Sequence, residues 1–142
     1  MNGRSFLDTN VFVYCFDKSN DRKTARAEQL VYEALKTGKG MVSYQVAQEF
    51  VAAVRRFRVP LRFEDIEDYW QGTLLPLLTV YFTPELYSRA LRLAHRDQLS
   101  WYDSLIVAAA MQGGCKVLYS EDLQDGRRFG DLVVENPFRS SR

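Results

Sequence analysis

The sequence predicts an α/β fold built on a parallel sheet that helices cover on both faces. Three observations carry that prediction. Short apolar runs of strand length alternate along the chain with longer segments of helical periodicity, the pattern of βα units. The first run, Ser5-Phe6-Leu7, stops at Asp8-Thr9-Asn10, residue types that end strands and cap helices. The segment from Ser100 to Ala110 is apolar on every side beyond its first turn, as a helix sealed inside a layered domain is. The 142 residues suffice to bury a core. With no repeat, low-complexity stretch or linker, they predict a single domain over 1–142.

Each element follows from its residues. After Asp8, residues 10–16 read as a short apolar helix. Asp21 is placed to cap a helix from Arg22 to about Lys36, whose apolar stripe is Ala27, Leu30, Val31, Ala34 and Leu35. Gly38-Lys39-Gly40 ends it, and Met41-Val42-Ser43 reads as a strand. The next helix, from Tyr44 to Phe57, gathers Val46, Ala47, Phe50, Val51 and Val54 on one face, and Pro60 closes the segment. Residues 64–73 are amphipathic around Ile66 and Trp70. Residues 77–82, with Thr79, Val80 and Tyr81, read as a strand. Thr83-Pro84-Glu85 is a strong helix start, and that helix runs to about Arg96. Ser100 opens the apolar helix, Gly113-Gly114 stops it, and residues 116–119 and 132–134 complete the strands. Residues 136–142 carry no readable signal.

Composition narrows the function. Hydrophobic residues make up 46% and charged residues 26% of the chain, ordinary for a soluble globular domain. The net charge of +1 supplies no global field toward nucleic acid or membrane, so any RNA contact must come from a local patch. Cys15 and Cys115 sit in apolar surroundings without a signal peptide, which fits reduced thiols in a cytoplasmic protein. No apolar run is long enough to span a bilayer. The one histidine, His95, excludes His-rich zinc sites and speaks against a Ser-His-Asp device.

Acidic side chains are the remaining candidates. Asp8 stands at the end of the first strand, where α/β sheets bind ligands; alone, it reads better as a helix cap, and the decision depends on whether other carboxylates reach the same edge. Glu49 lies early in the helix after the second strand, where a charge favourable to the helix dipole is its structural alternative. Asp103 caps or is capped within Ser100-x-x-Asp103. It also shares a face with Ile106, Val107 and Ala110 of a buried helix, where an unpaired carboxylate is costly. Asp122 follows the strand ending at Tyr119, in Ser120-Glu121-Asp122-Leu123-Gln124-Asp125-Gly126. There Asp125-Gly126 reads as a solvated turn, with Asp125 held as the alternative fourth acid. Acids that converge without a cationic partner repel one another unless a cation intervenes. An all-oxygen site suits Mg²⁺ or Mn²⁺ rather than zinc, and such ions support phosphodiester hydrolysis.

These four stretches together, Phe6-Leu7-Asp8-Thr9-Asn10, Glu49 after the second strand, Tyr102-Asp103-Ser104-Leu105-Ile106 and Ser120 to Gly126, resemble the PIN-domain nucleases. Within them the likeness is nearest to the VapC-type toxins of toxin–antitoxin pairs, and it covers nearly the whole chain. The resemblance implies a three-layer α/β/α sandwich with a short, mainly parallel central sheet. It implies an Mg²⁺- or Mn²⁺-dependent endoribonuclease cutting structured RNA such as tRNA or ribosomal RNA, the toxin of a type II pair. The acidic site it implies is Asp8, Glu49, Asp103 and Asp122. Asp8 and Asp103 would be direct metal ligands, with Glu49 and Asp122 completing the site through water or a second metal. Asn10 and Ser120 would orient the acids, Ser120 standing where many members have Thr. A homodimer and a cognate antitoxin are implied as partners.

Two basic stretches are candidates for RNA binding: Arg55, Arg56 and Arg58 with Arg62, and Arg89, Arg92, His95 and Arg96 along one helix. An ordinary solvated face explains each as well. Phe63, Tyr69 and Trp70 are placed to stack bases or to fill a core or interface. Two other families place an Asp after the first strand. Haloacid-dehalogenase-like phosphatases need a second Asp where Asn10 stands, and response-regulator receivers need a Lys near Ser120. A catalytically silent PIN scaffold, binding RNA or protein only, is the alternative of a different class.

Overall fold

The computed structural model describes residues 3–139. In chain order the elements are β1 (Ser5–Leu7), α1 (Thr9–Val13), α2 (Asp21–Thr37), β2 (Gly40–Ser43) and α3 (Tyr44–Arg55). There follow α4 (Phe63–Tyr69), a π-helical stretch (Trp70–Leu74), a single turn α5 (Leu75–Leu77) and β3 (Leu78–Val80). The chain ends with α6 (Pro84–Arg96), α7 (Trp101–Gln112), β4 (Val117–Tyr119), β5 (Arg128–Phe129) and β6 (Leu132–Glu135). The strands form one sheet in the order β3-β2-β1-β4-β6-β5. All neighbours are parallel except the β5–β6 pair.

That order contains a topological switch. From β1 the chain builds β2 and β3 outward on one side, then returns to lay β4 against the other side of β1. The crevice at the C-terminal ends of β1 and β4 is where such sheets bind ligands. Leu7 and Tyr119 are register partners, so Asp8 and Ser120, the next residue of each strand, come out side by side.

Helices cover both faces. A Cβ built on Gly40 would lie 2.3 Å from the Ala34 Cβ of α2, while one on Gly113 would lie 2.9 Å from the sulfur of Met41. Adjacent strand residues point to opposite faces, so α2 covers one side of β2 and the end of α7 the other. Gly40 is required by this approach, because any side chain there would displace α2. The core is continuous across the sheet, from Val31 and Ala34 through Phe6, Leu7 and Leu118 to Val107 and Ala110.

The structure adjusts several element boundaries. Asn20, not Asp21, caps α2: its side chain accepts from the Lys23 N–H, and Asp21 opens the helix as a first-turn acid. The short helix after Asp8 is the turn-and-a-half Thr9–Val13, since Asp8 itself takes the cap. The third helix stops at Arg55, before Phe57. The segment after Phe63 widens into π geometry at Trp70, which a smooth amphipathic pattern does not reveal. The β5–β6 hairpin, closed at Gly130 with φ +61°, escaped the sequence because two residues carry no periodicity. Phe138, in a tail without sequence signal, is fully buried, 4.8 Å from Tyr14 ring to ring. Among the described residues no helix is long and apolar enough to cross a membrane, and both cysteines are free.

Candidate active site

The four acids hang from four elements, β1, α3, α7 and β4, that end or begin at one edge of the sheet. Asp8 leaves β1 and caps α1, accepting the Thr9 N–H at 2.7 Å. Its other oxygen accepts the Ser120 hydroxyl at 2.9 Å, a contact made by the Leu7–Tyr119 register. The Asp8 N–H is itself bound to the Tyr119 carbonyl. Glu49 stands one turn beyond Gln45 on α3, which starts directly from β2. Asp103 sits in the first turn of α7, where the Ser100 hydroxyl caps its N–H at 3.2 Å. That is half of the capping box; among the described residues the Asp103 carboxylate makes no hydrogen bond or ion pair. Asp122 lies in the turn after β4, its N–H bound to Ser120 Oγ and its carboxylate to Asn10 Nδ2 at 3.2 Å.

One network therefore runs through the pocket. Asn10 holds Asp122, and Ser120 joins Asp122 to Asp8. Thr9 follows Asp8 and donates its hydroxyl to Glu49 Oε1 at 2.6 Å. The Gln45 amide donates to Glu49 Oε2 at 3.2 Å and to the Tyr102 carbonyl at 3.1 Å, at the threshold of Asp103. Every donor in this chain is neutral. Among the described residues none of the four acids has an ion-pair partner.

The electrostatics follow from that neutrality. Burial pushes the Asp8 carboxyl up from 3.8 to about 7, against the bonds from Thr9 and Ser120, and the charges of Asp122 and Glu49 add to the rise. Asp122 is raised too, by burial first and then by the charges of Asp103 and Glu121. Glu121 is the exception at this edge. Its carboxyl is lowered despite burial, because Lys23 Nζ at 2.6 Å and the Tyr14 hydroxyl at 2.5 Å donate to it.

In kind, this donor set fits a hard divalent cation: carboxylate oxygens gathered at one edge and repelling one another, with no cation among them. As they stand, no group of three or more His, Cys, Asp and Glu among the described residues is positioned to hold a metal ion. The carboxylates would have to close on the ion.

Of the remaining sequence candidates, Asn10 and Ser120 both contact the acids. Asp125 does not: its carboxylate binds the Asn136 N–H and Arg139, fastening the C-terminal segment. Arg56 is the C-cap of α3, exposed and seven residues beyond Glu49. Arg55 and Arg58 are exposed nearby in sequence. Arg89 lines a cavity with Gly114, Cys115 and Lys116, which lead into the N-terminal end of β4, the opposite edge from the acids. Arg96 pairs with Asp97, and Arg92 is exposed on the same helix. Tyr69 is committed to the core, 5.1 Å from the Phe50 ring, and Trp70 packs against it, whereas Phe63 is exposed. The sequence reading missed the roles of Thr9 and Gln45. The available signal for Gln45 was its i, i+4 spacing to Glu49, a polar residue set into an apolar helix face.

The family model for the PIN domain matches residues 5–128. No curated protein sequence matches the chain. Among solved structures, one from a toxin–antitoxin complex of Klebsiella pneumoniae superposes with a TM-score of 0.68 at 17% identity, covering 96% of this chain and 99% of its own. FitAcB from Neisseria gonorrhoeae gives 0.65 at 20% identity, covering 96% and 99%. VapC20 of Mycobacterium tuberculosis, described as a sarcin–ricin loop cleaving toxin, gives 0.60 at 21% identity, covering 83% and 89%.

Proposed function

The chain belongs to the PIN-domain family, and on that premise we propose that it is a Mg²⁺- or Mn²⁺-dependent endoribonuclease acting on structured RNA, the toxin of a type II toxin–antitoxin pair. One observation carries the reading: Asp8, Glu49, Asp103 and Asp122 gather at the switch-point edge, the carboxylates of Asp8, Glu49 and Asp122 held by neutral donors, and none of the four has a cationic partner among the described residues. Asp8, Asp103 and Asp122 would hold the ion, with Glu49 completing the site. A cation held there would supply Lewis-acid chemistry for phosphodiester hydrolysis. The chain's own groups do the rest. Asp8 gives up its proton to bind, Ser120 and Asn10 keep Asp8 and Asp122 in register, and Thr9 aims Glu49. Arg56, with Arg55 and Arg58, meets the RNA backbone beyond Glu49. Arg92 and Arg96 are weaker candidates, and Arg89 faces the other edge.

The toxin role, the antitoxin and a homodimer are supported by the resemblance to toxin–antitoxin structures, and an RNA substrate by the described activity of VapC20. A second reading has one observation in its favour: the carboxylates do not yet converge on a metal position, as in a silent scaffold that binds RNA or protein. Incubating the purified chain with tRNA and ribosomal RNA in Mn²⁺, Mg²⁺ or EDTA separates the two, with Asp103→Asn alongside. The nuclease cuts with metal, stops in EDTA, and is silenced by Asp103→Asn in a folded protein. Wild type without cutting overturns the nuclease in favour of the scaffold, and equal cutting by both proteins overturns it in favour of the scaffold with a contaminating nuclease.

A further inference from the structure

We propose that Gln45 is a positioning residue of the acidic pocket, setting the Glu49 carboxylate relative to the start of the helix that carries Asp103. The inference rests on the metal-site reading above and names a residue outside its acids.

Gln45 is 4% exposed, in the first turn of α3. Both neighbours of its amide, Glu49 Oε2 and the Tyr102 carbonyl, can only accept, so the NH₂ group must face them and the amide orientation follows from chemistry. The other end of the amide is thereby left over. Gln45 Oε1 is buried and has no hydrogen-bond partner among the described residues. A buried, unpaired carbonyl costs stability that an apolar side chain of the same length would not. Packing alone therefore does not account for glutamine here; the two donated bonds do.

The bond to the Tyr102 carbonyl joins α3 to the start of α7, and the bond to Glu49 runs one turn along α3 itself. Glu49 is gripped on one oxygen by Thr9, beside Asp8, and on the other by Gln45, beside the Tyr102–Asp103 peptide. The grip fixes both the rotation of the carboxylate and the spacing between α3 and the start of α7. Partners of this kind, one bond removed from a metal, set how well the ligands are placed to receive it.

The test is Mn²⁺ binding measured by calorimetry, without RNA, on wild type, Gln45→Met, Glu49→Gln and the double variant. Methionine keeps the length and removes both donors. Gln45→Met is expected to weaken Mn²⁺ about tenfold, within the range seen for such partners, with the metal-free melting temperature little changed. In the Glu49→Gln background the same change is expected to have no further effect, because Gln45 acts through Glu49. Equal weakening in both backgrounds would overturn the inference as a general structural effect, and so would no weakening at all. Should Gln45→Met not fold, Gln45→Leu is put through the same cycle. A wild type that binds no Mn²⁺ would overturn the metal-site reading, and the inference with it.

Discussion

Asp8 shows what the pocket demands of a single residue. It carries a carboxylate 5% exposed, with two neutral donors and no cation, and its pKa stands at about 7 instead of 3.8. The folded metal-free chain therefore holds a proton on Asp8 that the unfolded chain has lost. Stability from this group is fully present below the unfolded value of 3.8 and is lost as pH rises to about 7. Thermal melts in EDTA are expected to fall between pH 5 and pH 8, and Asp8→Asn to fall less, since it cannot ionise; parallel curves would refute the burial of that charge. Because the proton and the cation compete for the same oxygens, RNA cleavage should rise with pH through about 7. Thr9→Val tests a neighbour at the same scale. It keeps the shape, removes the 2.6 Å bond to Glu49, and is expected to lower kcat severalfold with the fold intact, read by single-turnover cleavage.

At the scale of elements, the site depends on how helices start and how closely they approach the sheet. Ser100 caps α7 one turn from Asp103. Ser100→Ala should cost about 1 kcal/mol by chemical denaturation, the usual value of a lost cap, and loosen Asp103 enough to reduce cleavage. Gly40→Ala is a harsher change, because the new methyl would meet Ala34 at 2.3 Å with backbone at 3.0 Å behind it. Overpacking of that kind costs about 1–3 kcal/mol, and a melting temperature equal to wild type would show that α2 can shift freely. Much at this scale was legible in the sequence. Thr83-Pro84-Glu85 announced α6, and the all-round apolar run announced α7, because each signal is local. Gln45 and Phe138 were not legible: their roles depend on Tyr102 and Tyr14, far along the chain, and only the fold brings them together. The π-helical turn after Tyr69 and the two-residue strand β5 were hidden for a different reason, being too short to impose a period.

For the molecule as a whole, the sheet order turns separate motifs into one pocket, and it does so at a cost. Leu7 and Tyr119 in register bring Asp8 to Ser120, and the return of the chain to β4 carries Asp122 beside them. The resulting charges repel: Asp122 and Glu49 raise Asp8, while Asp103 and Glu121 raise Asp122. Lys23 offsets Glu121 at 2.6 Å, and among the described residues no cation does the same for the other four. Such repulsion is a local destabilisation, which the proposed metal-dependent function would explain. Asp122→Asn, which removes one charge and keeps the shape, is therefore expected to raise the metal-free melting temperature at pH 8 while abolishing cleavage. Mn²⁺ should act in the same direction on the wild type. A ligand that binds only the folded state at 100 times its Kd adds about 2.7 kcal/mol, so the melting temperature should climb with Mn²⁺ and return in EDTA. The increment should shrink in Asp122→Asn, which has less repulsion to relieve and one ligand fewer. Calorimetric scans of both proteins, with and without Mn²⁺, read all of this at once. An Asp122→Asn protein less stable than wild type without metal would mean that the acids support the fold, as caps and turns do, instead of straining it.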